Sequence, residues 1–136
     1  DALDENLTRL IFEGPEDELT LTENAQPALM ATSLAVVRVI EREGGVALAD
    51  RAAFVAGHSL GEYSALAAAD ALGLADTARL LRRRGQAMQG AVPVGDGAMA
   101  AVLGLDLEAV RALATAKGIK AGGGVCGAPG ALVEVA

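Results

Sequence analysis

The 136 residues predict an α/β fold from three observations: helical apolar spacing recurs along the chain, short apolar runs closed by glycine fall between the helices, and a strand-turn-helix pattern surrounds "GHSLG" at 57–61. At 52% hydrophobic residues there is ample side chain for a core, and at 2% aromatic residues that core must be built from Ala, Val and Leu on closely packed helices.

Each element follows from local chemistry. "DALDENLTRLIFEG" sets Leu3, Leu7, Leu10 and Ile11 at helical spacing, and Gly14-Pro15 stops the pattern. "PEDELTLTEN" reads as an acidic loop. A helix is expected from Gln26 to about Glu43, with Pro27 in the first turn, where its missing N–H has no partner in any case, and Gly44-Gly45 at the end. "AAFVAG", 52–57, reads as a strand buried on both faces in a parallel sheet. Helices follow from Leu60 to about Ala69 and from Asp76 to about Gln89.

"AVPVGDG" is a loop by its Pro and Gly content and marks a boundary between 1–95 and 96–136. "AMAAVLGL" then reads as a strand, Asp106 caps a helix to about Ala116, and the tail mixes Gly-rich turns with strand-like Val125-Cys126 and Ala131 to Val135. This second part reads as unfinished, so the chain is expected to be a piece of a larger protein.

A net charge of −7 argues against nucleic acid as a partner, because phosphate neutralisation needs a surplus of Lys and Arg. Cys126 is the single cysteine and cannot form an internal disulfide, and no signal-peptide pattern opens the sequence, so a cytoplasmic setting is expected. The apolar stretches, such as "ALMATSLAVV", are too short to cross a bilayer, and no membrane association is expected.

The chemistry concentrates on Ser59. Gly57-His58-Ser59-Leu60-Gly61 lies between the expected strand and helix, the setting of a nucleophile elbow. Glycines at 57 and 61 let the chain turn sharply and the helix pack close, while the N–H groups at the helix start point at the spot where an oxyanion would form, Leu60 N–H first. Ser59 with Glu62 also spells Ser-x-x-Glu, a capping box that starts a helix without any chemistry. Both readings stand on the pattern alone. His58, the only histidine, is adjacent to Ser59 in a tight turn and projects away from it, so it reads as a packing or hydrogen-bonding residue of the turn.

"DTARLLRRRGQAMQGA" supplies four arginines. At about 100° per residue, Arg79, Arg82 and Arg83 share one face, whereas Arg84 lines up with Leu80 and Met88 on the apolar stripe. A guanidinium there either snorkels to solvent, pairs with a buried acid, or forms the anion site of a pocket. The other three read as a solvated face or as a docking patch for an acidic partner.

Four collinear pieces, "TENAQPALMATSLAV", "GHSLGEYSALAAADAL", "RRRGQAMQGAVPVGDGAMAAVLGL" and, more weakly, "GAPGALVEVA", resemble the malonyl-CoA:acyl carrier protein transacylases and, more widely, the acyltransferase domains of polyketide and fatty acid synthases. The resemblance implies an α/β-hydrolase-like acyltransferase core with short parallel strands, followed by the start of a small ferredoxin-like subdomain. It implies that Ser59 is the acylated nucleophile, that Leu60 N–H is an oxyanion donor, and that Arg84 binds the malonyl carboxylate, with Gln26 and His58 also among the substrate-binding residues. Malonyl-CoA is then the donor, acyl carrier protein the acceptor, and no cofactor is needed. Arg79, Arg82 and Arg83 would help dock the acidic carrier.

The departures from the family pattern matter. The family's upstream glutamine-containing loop has no counterpart before Asp1, its catalytic histidine lies beyond Ala136, and "VCGAPGA" places Gly127 and Ala131 where polar residues are usual. An internal fragment with slow or no turnover of its own is the expectation. A noncatalytic carrier-binding module, the acyltransferase domain of a polyketide synthase, and an esterase with the same elbow are the alternatives.

Overall fold

The computed structural model describes residues 2–91, 98–118, 121–125 and 131–135. Packing divides the chain into two units, Asp1–Gln89 and Gly90–Ala136.

The first unit is helical. Helix α1 (Leu7–Glu13) starts at Asn6, whose Oδ1 accepts the Arg9 N–H at 3.0 Å, so Leu3 stays outside despite its spacing. The expected acidic loop contains a short helix, α2 (Glu16–Leu19), with Glu16, Asp17 and Glu18 in its first turn, where negative charge faces the positive end of the peptide dipoles. Helix α3 (Thr22–Gly44) begins a turn earlier than the sequence suggests. The Leu21 carbonyl accepts the N–H groups of Asn24 (2.9 Å) and Ala25 (2.8 Å), while Asn24 Nδ2 donates to the Glu18 carbonyl at 2.8 Å. Pro27 consequently sits inside the helix rather than in its first turn. Gly45, left-handed at φ 62°, ends it.

A single turn, α4 (Leu48–Arg51), is tied back to α3 by Glu41, whose Oε1 accepts the Leu48 N–H at 3.3 Å. Arg38 holds the Glu41 carboxyl below its ordinary range, with the Leu48 N–H adding to the effect. Helices α5 (Leu60–Ala68) and α6 (Leu74–Ala91) complete the unit. Met30 and Leu34 of α3, Ala67 of α5 and Leu81 of α6 form its core, with Leu60, Tyr63, Ala68 and Ala78 packed around them. Gly85 brings α6 onto the first turn of α3: a Cβ there would lie 2.5 Å from Glu23 Cα and 2.6 Å from the Thr22 carbonyl oxygen.

The expected parallel strand at Ala52–Gly57 does not form, and this corrects the sequence reading. The segment is irregular, and Phe54 at its centre is 92% exposed. A strand exists only through ladder hydrogen bonds to a neighbour, and no other extended segment is paired with 52–57 among the described residues. An apolar cleft of about 430 Å³ lies between this segment and helices α3 and α5, lined by Leu34, Val37, Phe54, Val55, Leu60 and Ala65 among others.

The second unit holds the β-structure. Strand β1 (Ala98–Val102), helix α7 (Leu107–Ala116), β2 (Ala121–Val125) and β3 (Ala131–Val135) form a three-stranded sheet in the order β1-β3-β2. β3 runs antiparallel to both neighbours, pairing Ala100 with Val133 on one side and Gly123 with Val133 on the other. The glycine run 122–124, read as a turn from sequence, is thus the middle of β2: an extended partner supplies the ladder that glycine's weak strand preference does not. Asp106 caps α7 as expected, Oδ1 accepting the Ala109 N–H at 2.7 Å. The expected boundary loop at 92–97, Cys126 and Gly127 lie outside the described residues. Among the described residues no helix is long and apolar enough to cross a membrane.

Candidate functional site

The turn before α5 places Ser59 at φ 55°, ψ −119°, a backbone conformation that L side chains adopt only under strain. What makes the turn possible is Gly57. A Cβ at that position would lie 1.9 Å from the Gly61 carbonyl oxygen and 2.4 Å from the Glu62 nitrogen, so the incoming chain passes directly over the first turn of the helix. Gly61, expected to serve the same close approach, has open space where its Cβ would be among the described residues.

The two sequence readings of Ser59 now separate. Ser59 occupies the N-cap position of α5, but its side chain makes no capping hydrogen bond, and the Glu62 N–H is taken by the Ser59 backbone carbonyl at 3.2 Å. The capping box does not form. The hydroxyl instead accepts a hydrogen bond at 2.9 Å from Arg84 Nη2, 25 residues along the chain. Leu60 is the first residue of the helix, so its N–H has no intrahelical acceptor and lies beside the serine.

Arg84 is half-buried on α6, and its other terminal nitrogen, Nη1, donates to Gln26 Oε1 at 2.6 Å. Gln26 is 4% exposed, and its Nε2 donates to Met88 Sδ at 3.4 Å. A guanidinium only donates, so it fixes the amide with oxygen toward Arg84 and nitrogen toward the thioether. The Arg84 guanidinium carbon stands 6.0 Å from the centroid of the Tyr63 ring. Among the described residues no carboxylate lies within salt-bridge distance of Arg84, so its charge stands beside the serine uncompensated.

Of the residues expected from sequence, the structure brings Ser59, Leu60, Arg84 and Gln26 together. His58 is exposed; its carbonyl accepts the Gly61 N–H at 2.9 Å, and its side chain makes no hydrogen bond among the described residues. The arginine patch is smaller than expected. Arg79 is exposed and paired with Asp76 at 3.0 Å, and Arg83 is exposed, but Arg82 turns inward with its side chain 11% exposed, bonding Asn24 Oδ1 and the Glu5 carboxylate. Arg82 flanks the buried face of α6 next to Leu81, and two acceptors on that side draw it in. Tyr63 and Met88 were not among the residues the sequence singled out for the site. Their signal was spacing alone: each lies four residues, one helical turn, after a site residue, Ser59 and Arg84 respectively.

A serine in a strained turn at a helix start, with a guanidinium on its hydroxyl, is the local geometry of a nucleophile elbow beside an anion site. The chain belongs to the acyl transferase domain family, whose model matches residues 1–119. It is 53% identical over 111 residues to the malonyl CoA-acyl carrier protein transacylase of Bacillus subtilis strain 168, a match covering 82% of this chain and 33% of that protein. The crystal structure of acyl-carrier-protein-S-malonyltransferase from Bartonella henselae superposes with a TM-score of 0.81 at 52% identity, covering 99% of this chain and 44% of the other. A malonyl-transacylase solved in complex with its type II PKS acyl-carrier protein superposes with a TM-score of 0.77 at 41% identity, covering 99% of this chain and 43% of that one. The chain thus spans about a third of the length of the curated relatives it matches.

Proposed function

We propose that this chain is the nucleophile-bearing part of a malonyl-CoA:acyl carrier protein transacylase. In the first half-reaction Ser59 Oγ attacks the thioester carbonyl of malonyl-CoA. The new C–O bond forms as the C–S bond breaks, coenzyme A leaves as a thiol with the serine proton, and malonyl-Ser59 remains. In the second, the phosphopantetheine thiol of acyl carrier protein takes the malonyl group by the reverse chemistry. Leu60 N–H stabilises the oxyanion of each tetrahedral intermediate. Arg84 binds the free malonyl carboxylate, and a neutral acetyl group leaves that guanidinium without an anion.

The observation that carries this reading is the 2.9 Å hydrogen bond from Arg84 Nη2 to Ser59 Oγ. It puts a fixed cation within one acyl group's length of the nucleophile. The relatives named as malonyl transacylases support the substrate, and the solved carrier-protein complex of one neighbour supports the partner. Arg79 and Arg83 are the arginines left on the surface to meet an acidic carrier. For the flanking architecture, we read residues 1–95 as part of the large α/β acyltransferase domain and 96–136 as part of a ferredoxin-like subdomain; the β1-β3-β2 order with α7 between β1 and β2 supports the latter.

No side chain but that of Arg84 hydrogen-bonds Ser59 Oγ among the described residues, so no general base is in reach there and acylation by this chain is slow. Prolonged incubation with malonyl-CoA, read by intact mass spectrometry and peptide mapping, is expected to give one malonyl group on Ser59. Ser59→Ala should carry none, and Arg84→Ala should accumulate it about tenfold more slowly or worse. Malonylation at other residues, or at Ser59 independently of Arg84, would overturn the reading.

A further inference from the structure

Gln26 and Ser59 meet different terminal nitrogens of Arg84. Its amide is buried, 4% exposed, and both ends are occupied: Oε1 by Arg84 Nη1 at 2.6 Å, Nε2 by Met88 Sδ at 3.4 Å. With one contact at each end and so little exposure, the amide offers a substrate almost no surface. The two contacts of the guanidinium also differ in kind. Nη1 is held by a buried side chain inside the helix packing, whereas Nη2 rests on the exposed hydroxyl of Ser59, the contact an incoming anion can replace.

From this we infer that Gln26 is a positioning residue rather than a substrate ligand: backed by Met88, it anchors one end of Arg84 without neutralising it, so that the end on Ser59 is released to the acyl carboxylate. A carboxylate in the same place would hold Arg84 equally well in geometry but cancel its charge, and the site would lose its preference for anionic acyl groups. A neutral amide is therefore the side chain that gives both orientation and an available cation. The thioether completes the device. It accepts the amide's N–H without offering a competing anion, and it lies one turn along α6 from Arg84, so the helix itself sets the spacing.

The inference rests on the function proposed above, and competition separates the two. The chain is incubated with equal concentrations of malonyl-CoA and acetyl-CoA, and the ratio of malonyl to acetyl on Ser59 is read by intact mass. The wild-type chain should favour malonyl. Gln26→Glu should lower the ratio by about tenfold or more through loss of the malonyl adduct, with acetylation retained. Met88→Leu, which removes the amide's second anchor, should lower it by only about two- to fivefold. Equal loss of both adducts in Gln26→Glu, with the ratio unchanged, would overturn the inference and leave Gln26 as packing. A wild-type chain with no preference for malonyl would overturn the proposed function and this inference with it.

A second measurement keeps the question open to refutation where acylation is too slow to count or Gln26→Glu folds poorly. Malonate added to the chain should shift the Arg84 Nε–H resonance in wild type and Met88→Leu. Malonamide, its uncharged analogue, should leave it unmoved. In Gln26→Glu, or in Gln26→Asp as its shorter acidic counterpart, malonate should have about a tenth of the effect or less. An equal response in the acidic variants and wild type would sink the positioning role, and no response in wild type would sink the anion site itself.

Discussion

Two apolar regions of the first unit meet opposite fates. Leu81 and Met30, where α3, α5 and α6 converge, are 0% and 1% exposed, while Phe54, in the apolar run "AAFVAG", is 92% exposed. The difference lies in where each element finds its hydrogen bonds. A helix satisfies its backbone within itself and needs neighbours only for its side chains, so three helices can close a core around four residues. A strand satisfies nothing alone, and among the described residues the run 52–57 has no paired neighbour to give it a ladder. Apolar composition therefore states what a segment can bury, and topology decides whether it does.

That contrast can be broken most strongly at Leu81. Leu81→Ala should destabilise the chain by about 2–5 kcal/mol through the cavity left among Met30, Leu34 and Ala67, whereas Phe54→Ser should change stability by less than about 0.5 kcal/mol. Urea unfolding of both variants measures the gap, and equal losses would mean that 52–57 is buried in solution. The two glycines at the helix contacts sharpen the same point at smaller scale. Gly85→Ala should cost about 1–3 kcal/mol, because its Cβ meets the backbone of Thr22 and Glu23, while Gly61→Ala, facing open space in a helix, should stabilise by roughly 0.5–1 kcal/mol. Thermal melts with opposite signs of ΔTm are the expected outcome.

The smallest effect belongs to the tie between α3 and α4. Glu41 titrates below its ordinary range because of Arg38 and the Leu48 N–H, so its contribution is present above the unfolded-state pKa and is lost as pH falls through the lower folded-state value. The deficit in Tm of Glu41→Gln should therefore be visible at neutral pH and vanish at the acid end of the carboxylate range. A deficit that persists there would mean that Glu41 acts through shape rather than charge. Arg38 bridges Glu41 and Asp70 at 2.8 and 3.2 Å, but over exposed surface, where solvent weakens such pairs.

What the sequence made legible follows the same division. The helices α3, α5, α6 and α7 were readable because their spacing, caps and breakers are local, and the Asp106 cap appears as expected. Ser59 was readable as a turn residue, and Arg84 as an arginine on the wrong face of α6, since each needed only a few neighbouring residues to look unusual. Their contact across 25 residues was not legible from spacing, and only the family resemblance brought the two into one site. Arg82 was misread as surface because the face of a helix does not reveal that Asn24 and Glu5 lie across from it. The anchoring of Gln26 by Met88, 62 residues away, left no local trace at all.

The left-handed serine has one more implication. At φ 55°, Ser59 holds a conformation that costs a side-chain-bearing residue about 1–3 kcal/mol and glycine almost nothing. Glycine is thus the thermodynamic optimum at position 59, and the hydroxyl is the one feature glycine cannot supply. Under the role proposed for Ser59, mutational drift toward stability would run against the chemistry at this residue, so a screen for thermostable variants of this chain would tend to select those that cannot be acylated.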